Sequence, residues 1–110
     1  MPAPRVTDEL LRQISDQIVA EFGPEQIILF GSHARGDPDP DSDVDLLVIM
    51  ENEEPPAARS ARVSRACRPR YLPMDIMVRT PHEVSAALRG FDPFLEDILA
   101  HGRTLYKTAG

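Results

Sequence analysis

Asp43 and Asp45 are separated by one residue at the head of an apolar run that continues through Leu46, Leu47, Val48, Ile49 and Met50. Side chains alternate faces along a strand, so both carboxylates point the same way, roughly 6–7 Å apart along the chain. Two like charges on one face repel unless something positive lies between them. A divalent cation, or a pair of them, meets that need. Mg²⁺ is typically held by one or two carboxylates together with substrate phosphates. A third acid, Asp75, stands between Met74 and Ile76 in another apolar run. A charge there is costly unless it is paired or metal-bound. It joins Asp43 and Asp45 if the two runs are neighbouring strands; the alternative is an ion pair with Arg79.

Upstream, the β-rich run Ile27-Ile28-Leu29-Phe30 stops at Gly31-Ser32. Glycine lets the backbone come close to a phosphate, and a serine at a helix start offers a hydroxyl beside N–H groups that favour anions. By itself this is an ordinary strand-to-helix turn with a serine cap. Arg35 follows at a distance from which it neutralises phosphate or holds the acidic loop after it. Asp37, Asp39 and Asp41 alternate like a calcium loop, but an EF-hand needs Gly at its sixth place and Glu at its twelfth. Ser42 and Val48 stand there instead, which rejects calcium. The three are read as loop acids rigidified by Pro38 and Pro40.

The whole stretch GSHARGDPDPDSDVDLLV, with Gly31-Ser32 and then Asp43-Val44-Asp45, resembles the signature of the polymerase-β-like nucleotidyltransferases. In particular it looks like the minimal nucleotidyltransferases, which serve as antitoxins paired with HEPN-type toxins. The resemblance implies a palm-like core and a reaction in which AMP from ATP is moved to a hydroxyl. It places the nucleotide phosphates at Gly31, Ser32 and Arg35. It makes Asp43, Asp45 and Asp75 the catalytic and metal-binding triad, with two Mg²⁺ ions, and gives Asp75 a part in deprotonating the acceptor. A tyrosine of a HEPN-domain toxin would be that acceptor. Two other functions compete: a non-catalytic antitoxin that acts by contact, and an adenylyltransferase for a small molecule. The intact set of acids favours catalysis over the first. The lack of residues for an added substrate domain disfavours the second.

The elements that must position these residues are readable along the chain. Thr7 caps a first helix with Asp8 and Glu9 in its first turn, where the helix dipole favours negative charge. Leu10, Ile14, Ile18 and Phe22, with Leu11 beside them, form one apolar stripe, and Gly23-Pro24 ends it. Strands are expected over 26–30, 43–50, 73–79 and 103–106. Short helical turns or helices are expected over 32–35 and 56–67. Thr80-Pro81-His82-Glu83 is a capping box that starts a helix to about Arg89, and Asp92-Pro93 starts another ending near His101-Gly102. The order α-β-α-β-α-β-α-α-β predicts an α/β (α+β) fold: a mixed sheet flanked by helices, packed mainly on one face.

Composition sets the outer limits. The 110 residues suit one domain, 1–110, with one modest core. The 42% hydrophobic and 27% charged content is that of a globular protein. The start is unlike a signal peptide, and no apolar run approaches the ~20 residues of a membrane span. Cys67 stands alone, which fits the cytoplasm and argues against a zinc site. A net charge of −6 disfavours direct nucleic-acid binding. The charge is uneven: 37–54 holds eight acids and no base, and 59–70 holds five arginines and no acid. Arg59, Arg62 and Arg65 read as a solvated face, or else as a docking stripe for an acidic partner or phosphates. With no Trp and only two Tyr and four Phe, the sequence offers no aromatic platform for a nucleobase.

Overall fold

The computed structural model describes residues 6–36, 43–67 and 72–108. The loop acids Asp37, Asp39 and Asp41 lie outside the described residues. The first helix, α1 (Asp8–Phe22), begins where Thr7 takes an extended conformation and its hydroxyl accepts the Leu10 N–H at 3.1 Å. It ends where Gly23 turns left-handed, with φ 57°, and donates its N–H to the Val19 carbonyl. Its apolar stripe is centred on Leu11, Ile14 and Ile18, all buried, with Leu10 and Phe22 half-buried at its margins.

The sheet is built from β1 (Gln26–Phe30), β2 (Val44–Ile49), β3 (Met74–Arg79) and β4 (Arg103–Lys107), in the spatial order β3-β2-β1-β4. β1 runs antiparallel to both its neighbours, and β2 and β3 are parallel. A parallel pair needs a crossover of a dozen or more residues. Helix α3 (Pro56–Cys67) supplies it, while the one-turn helix α2 (Ser32–Arg35) opens the connection from β1 to β2.

Helices cover both faces of this sheet, rather than mainly one. On the first face α1 and α3 pack Leu11, Ile14, Ile18 and Val63 against Ile27, Leu29, Leu46, Val48, Ile76 and Val78. On the second, α4 (Pro81–Arg89) and α5 (Pro93–His101) bring Leu95, Ile98, Val84 and Ala87 onto Ile28, Leu47 and Ile49. The uninterrupted buried run Leu46 to Ile49 follows directly: a strand with both faces covered has no polar side to alternate with.

Both later helices start as their sequences dictate. Thr80 and Glu83 cap α4 reciprocally, the Thr80 hydroxyl accepting the Glu83 N–H at 3.1 Å and the Glu83 carboxylate accepting the Thr80 N–H at 2.8 Å. Asp92 accepts the Leu95 N–H at 3.1 Å to start α5. The arginine row on α3 is not uniformly solvated. Arg59 is buried, bonded through Nε to the Glu54 carbonyl and through Nη1 to the Glu83 carboxylate, whereas Arg62 stays exposed and pairs with Glu54 at 2.9 Å. Arg59 thus ties the helix on one face to the start of a helix on the other. Among the described residues no helix is long and apolar enough to cross a membrane.

Candidate active site

The site forms where β1 ends and β2 begins. In the antiparallel register Phe30 lies opposite Asp45, and in the parallel register Asp45 lies beside Asp75. Residues in register on neighbouring strands share a face, and the strands lie about 4.8 Å apart. Asp45 and Asp75 are therefore lateral neighbours, and Asp43, just ahead of β2 rather than within it, is close enough for its charge to act on Asp45. Arg79 does not neutralise Asp75: its Nη1 donates to the Val78 carbonyl at 2.9 Å.

Electrostatics report the same convergence. The carboxyl of Asp45 is pushed above the ordinary aspartate range, first by burial and then by the charges of Asp75 and Asp43; His33 and Arg35 pull it partly back. Like charges side by side on a sheet weaken it, and here His33 and Arg35 offset that repulsion only in part.

Gly31 completes the arrangement. Its backbone has φ 78° and ψ −156°, a region that residues with a Cβ essentially do not enter. A Cβ built there would fall onto the Asp45 carboxylate oxygen. Its carbonyl accepts the N–H groups of Ala34 and Arg35, each at 3.1 Å, which folds α2 back over the end of β1. Ser32 is the first residue of α2, and Gly36, with φ 79°, is its last cap. Gly31, Ser32, Arg35, Asp43, Asp45 and Asp75 therefore sit at one corner of the sheet, with Asp45 and Asp75 on the face covered by α4 and α5 and Ala34 of α2 packed against the opposite apolar layer.

The donor set suits a hard divalent cation: carboxylate oxygens only, one of them desolvated and strained by its neighbours. Among the described residues no three His, Cys, Asp or Glu side chains, the three acids included, are grouped so as to hold a metal ion by themselves. That is compatible with Mg²⁺, which is seldom caged by protein alone and takes part of its shell from water and substrate phosphates.

Two features of this corner were not singled out in the sequence. Phe30 meets Phe94 of α5 edge to face, with ring centroids 5.8 Å apart at 88°. Beside them a cavity of about 350 Å³ is lined by Phe30, Gly31, Ala34 and Arg35 on one wall and by Asp97, Ile98, His101 and Gly102 on the other. The spacing of Asp97 and His101, one helical turn apart, was the available signal; they pair at 3.0 Å.

A mixed sheet flanked by helices, with paired acids beside a Gly-Ser turn, defines a nucleotidyltransferase core. Residues 11–105 match the family model for nucleotidyltransferase domains, and the chain belongs to that family. A protein of Methanocaldococcus jannaschii, MJ0141, provisionally named a protein adenylyltransferase, is 37% identical over 54 residues, 49% of this chain and 54% of its own length. The chain thus matches about half the length of that relative. A crystal structure of a protein from Sulfolobus solfataricus, provisionally named a nucleotidyltransferase, superposes with a TM-score of 0.57 at 29% identity, covering 72% of this chain and 71% of that one. A toxin–antitoxin crystallised with AMP-PNP gives a TM-score of 0.54 at 20% identity, and a mutant of the toxin–antitoxin MntA-HpeT gives 0.51 at 18%, each covering 94% of this chain and 76% of the other. These last two likenesses are to the fold.

Proposed function

We propose that this chain is a single Mg²⁺-dependent nucleotidyltransferase domain, spanning 1–110, that transfers AMP from ATP to a hydroxyl of a partner protein in the cytoplasm. The reading extends to an antitoxin that modifies a tyrosine of a HEPN-type toxin. The observation that carries the chemistry is the Asp45–Asp75 neighbour pair with Gly31 pressed against the Asp45 carboxylate.

Asp43 and Asp45, joined by Asp75, are the residues that would hold Mg²⁺. The ions, when bound, neutralise phosphate charge and stabilise the attacking and leaving oxygens. Gly31, lacking a side chain, lets the Asp45 carboxylate lie directly against the turn that would bind the triphosphate. Ser32 donates its hydroxyl to a phosphate oxygen, and Arg35 offsets the tail's negative charge. Asp75, on the outer strand and exposed, accepts the proton of the incoming hydroxyl. The acceptor oxygen forms a bond to the α-phosphorus, the bond from that phosphorus to the bridging oxygen breaks, and pyrophosphate leaves with the electron pair.

A specific observation favours a contact mode beside catalysis. Phe91 is 86% exposed and held at φ 62°, unusual for a residue with a side chain, and Phe94 is 55% exposed next to it. Such a patch at the edge of the site suits a protein surface. The experiment that separates the modes is co-expression with the product of the neighbouring gene, addition of ATP and Mg²⁺, and intact-mass measurement of both chains. A partner that gains AMP only when Asp43 and Asp45 are intact supports transfer. A stable complex with no mass change, and equal protection of cells by the Asp43→Asn, Asp45→Asn double variant, leaves contact alone.

A further inference from the structure

The cavity between α2 and α5 is adjacent to the acid cluster but separate from it. Gly31 belongs to both, with one side against Asp45 and the other on the cavity wall. Its volume, about 350 Å³, lies within the range of small-molecule sites. The walls divide by chemistry. Phe30, Ala34 and Ile98 give an apolar surface, with the Phe30 ring held in place by Phe94. Asp97 and His101 stand at the rim, paired with one another and largely exposed. Arg35 marks the side that faces Gly31 and Asp45.

That sequence of surfaces is cationic, then apolar, then carboxylate. A bare polyphosphate would meet Asp97 as a like charge and would gain nothing from Phe30 or Ile98. A nucleoside fits each part: its flat ring against the apolar walls, its sugar hydroxyls toward an acceptor-only carboxylate, and its phosphate end toward Arg35 and Gly31. We infer that this cavity seats the nucleoside of the donor, with Asp97 accepting hydrogen bonds from the ribose hydroxyls. The inference rests on the nucleotidyl-transfer reading of the neighbouring acids and names where the rest of the donor lies.

Phe30 then supplies the ring contact that the composition gave no reason to expect. Asp97 is the discriminating group. It is exposed and its pairing with His101 lies in solvent, so its removal leaves the fold intact. Asp97→Ala and His101→Ala are compared with the unaltered chain by calorimetric titration with ATP, 2′,3′-dideoxy-ATP and inorganic tripolyphosphate, each with Mg²⁺.

The unaltered chain is expected to bind ATP more tightly than either analogue. Asp97→Ala should weaken ATP binding on the order of tenfold, the loss of one charge-assisted hydrogen bond at a wet rim, and should leave tripolyphosphate binding unchanged. The His101→Ala chain keeps the preference for ATP over the dideoxy analogue, because the carboxylate that reads the sugar remains. Equal affinity of the unaltered chain for ATP and tripolyphosphate would overturn the nucleoside seat while leaving the transfer reading standing. Unchanged ATP binding in Asp97→Ala overturns it likewise. Failure of the unaltered chain to bind either compound removes both readings together.

Discussion

Gly31 lies so close against Asp45 that no side chain fits between them. The contact joins a backbone conformation to a charge: the left-handed, extended turn at Gly31 brings its α-carbon onto the carboxylate. Gly31→Ala must therefore bear both the unfavourable dihedrals, about 1–3 kcal/mol, and displacement of the Asp45 side chain. A fall in melting temperature of about 5–15 °C is expected for a domain of this size, with loss of nucleotidyl transfer. Thermal unfolding followed by circular dichroism checks the first. An unchanged melting curve would mean that the turn relaxes without cost.

The acids themselves should weaken the metal-free fold. Because the folded-state pKa of Asp45 is raised, its contribution is fully favourable only below the ordinary aspartate value and is lost as pH rises through the raised one. Asp45→Asn removes that loss. The variant is expected to match the parent near pH 3 and to exceed it at pH 7 by about 0.5 kcal/mol, as like charges opposite one another in a sheet cost. Paired denaturant titrations in chelator at the two pH values measure the difference. Added Mg²⁺ should narrow it by stabilising the parent alone.

The same two aspartates should be indispensable for turnover. Asp43→Asn with Asp45→Asn should reduce transfer by more than the roughly 10–100-fold that loss of an outer-shell partner costs a metal site. Single-turnover assays with α-labelled ATP give the rate. Residual transfer within tenfold of the parent would place the chemistry elsewhere.

Arg59 behaves differently from its neighbours in the row. It is buried against Glu83, whose carboxyl is held below the ordinary range chiefly by the Thr80 N–H and further by Arg59, against the opposing effect of burial. Arg59→Ala should cost about 2–3 kcal/mol, while Arg62→Ala, at an exposed pair, should stay within about 0.5 kcal/mol. A depressed carboxyl gives stability that is present above the unfolded glutamate pKa and lost as pH falls through the folded one. The penalty for Arg59→Ala should therefore shrink in acid. A penalty that is the same at pH 3 and pH 7 would assign Arg59 a packing role only.

Much of this was readable in the sequence because it is local. The Thr80–Glu83 capping box, the Leu11-Ile14-Ile18 stripe and the Gly31-Ser32 turn each announce themselves within a few residues. Strand alternation predicts one shared face for Asp43 and Asp45, but β2 begins at Val44, so Asp43 stands ahead of the strand. The placement of Asp75 needed one further step, the parallel pairing of β2 with β3, and the register aligns it with Asp45. What stayed hidden depends on partners far along the chain. Arg59 looks solvated until Glu83, 24 residues on, comes to meet it. The continuous apolar run of β2 signals cover on both faces, a signal that the order of elements alone, which predicts helices mainly on one face, does not carry. The cavity exists only because α5 returns beside Phe30.

The two apolar layers are unequal, and the acids share a face with the smaller one. Regions with few buried apolar partners open most readily. Amide exchange should accordingly be faster through α4 and α5 than through α1, with the sheet centre slowest. The molecule is then expected to have a firmer side under α1 and α3 and a looser side under α4 and α5, the side that bears the carboxylates. Firm packing and ready opening fall on opposite surfaces of one four-stranded sheet, and the acids stand on the surface that opens.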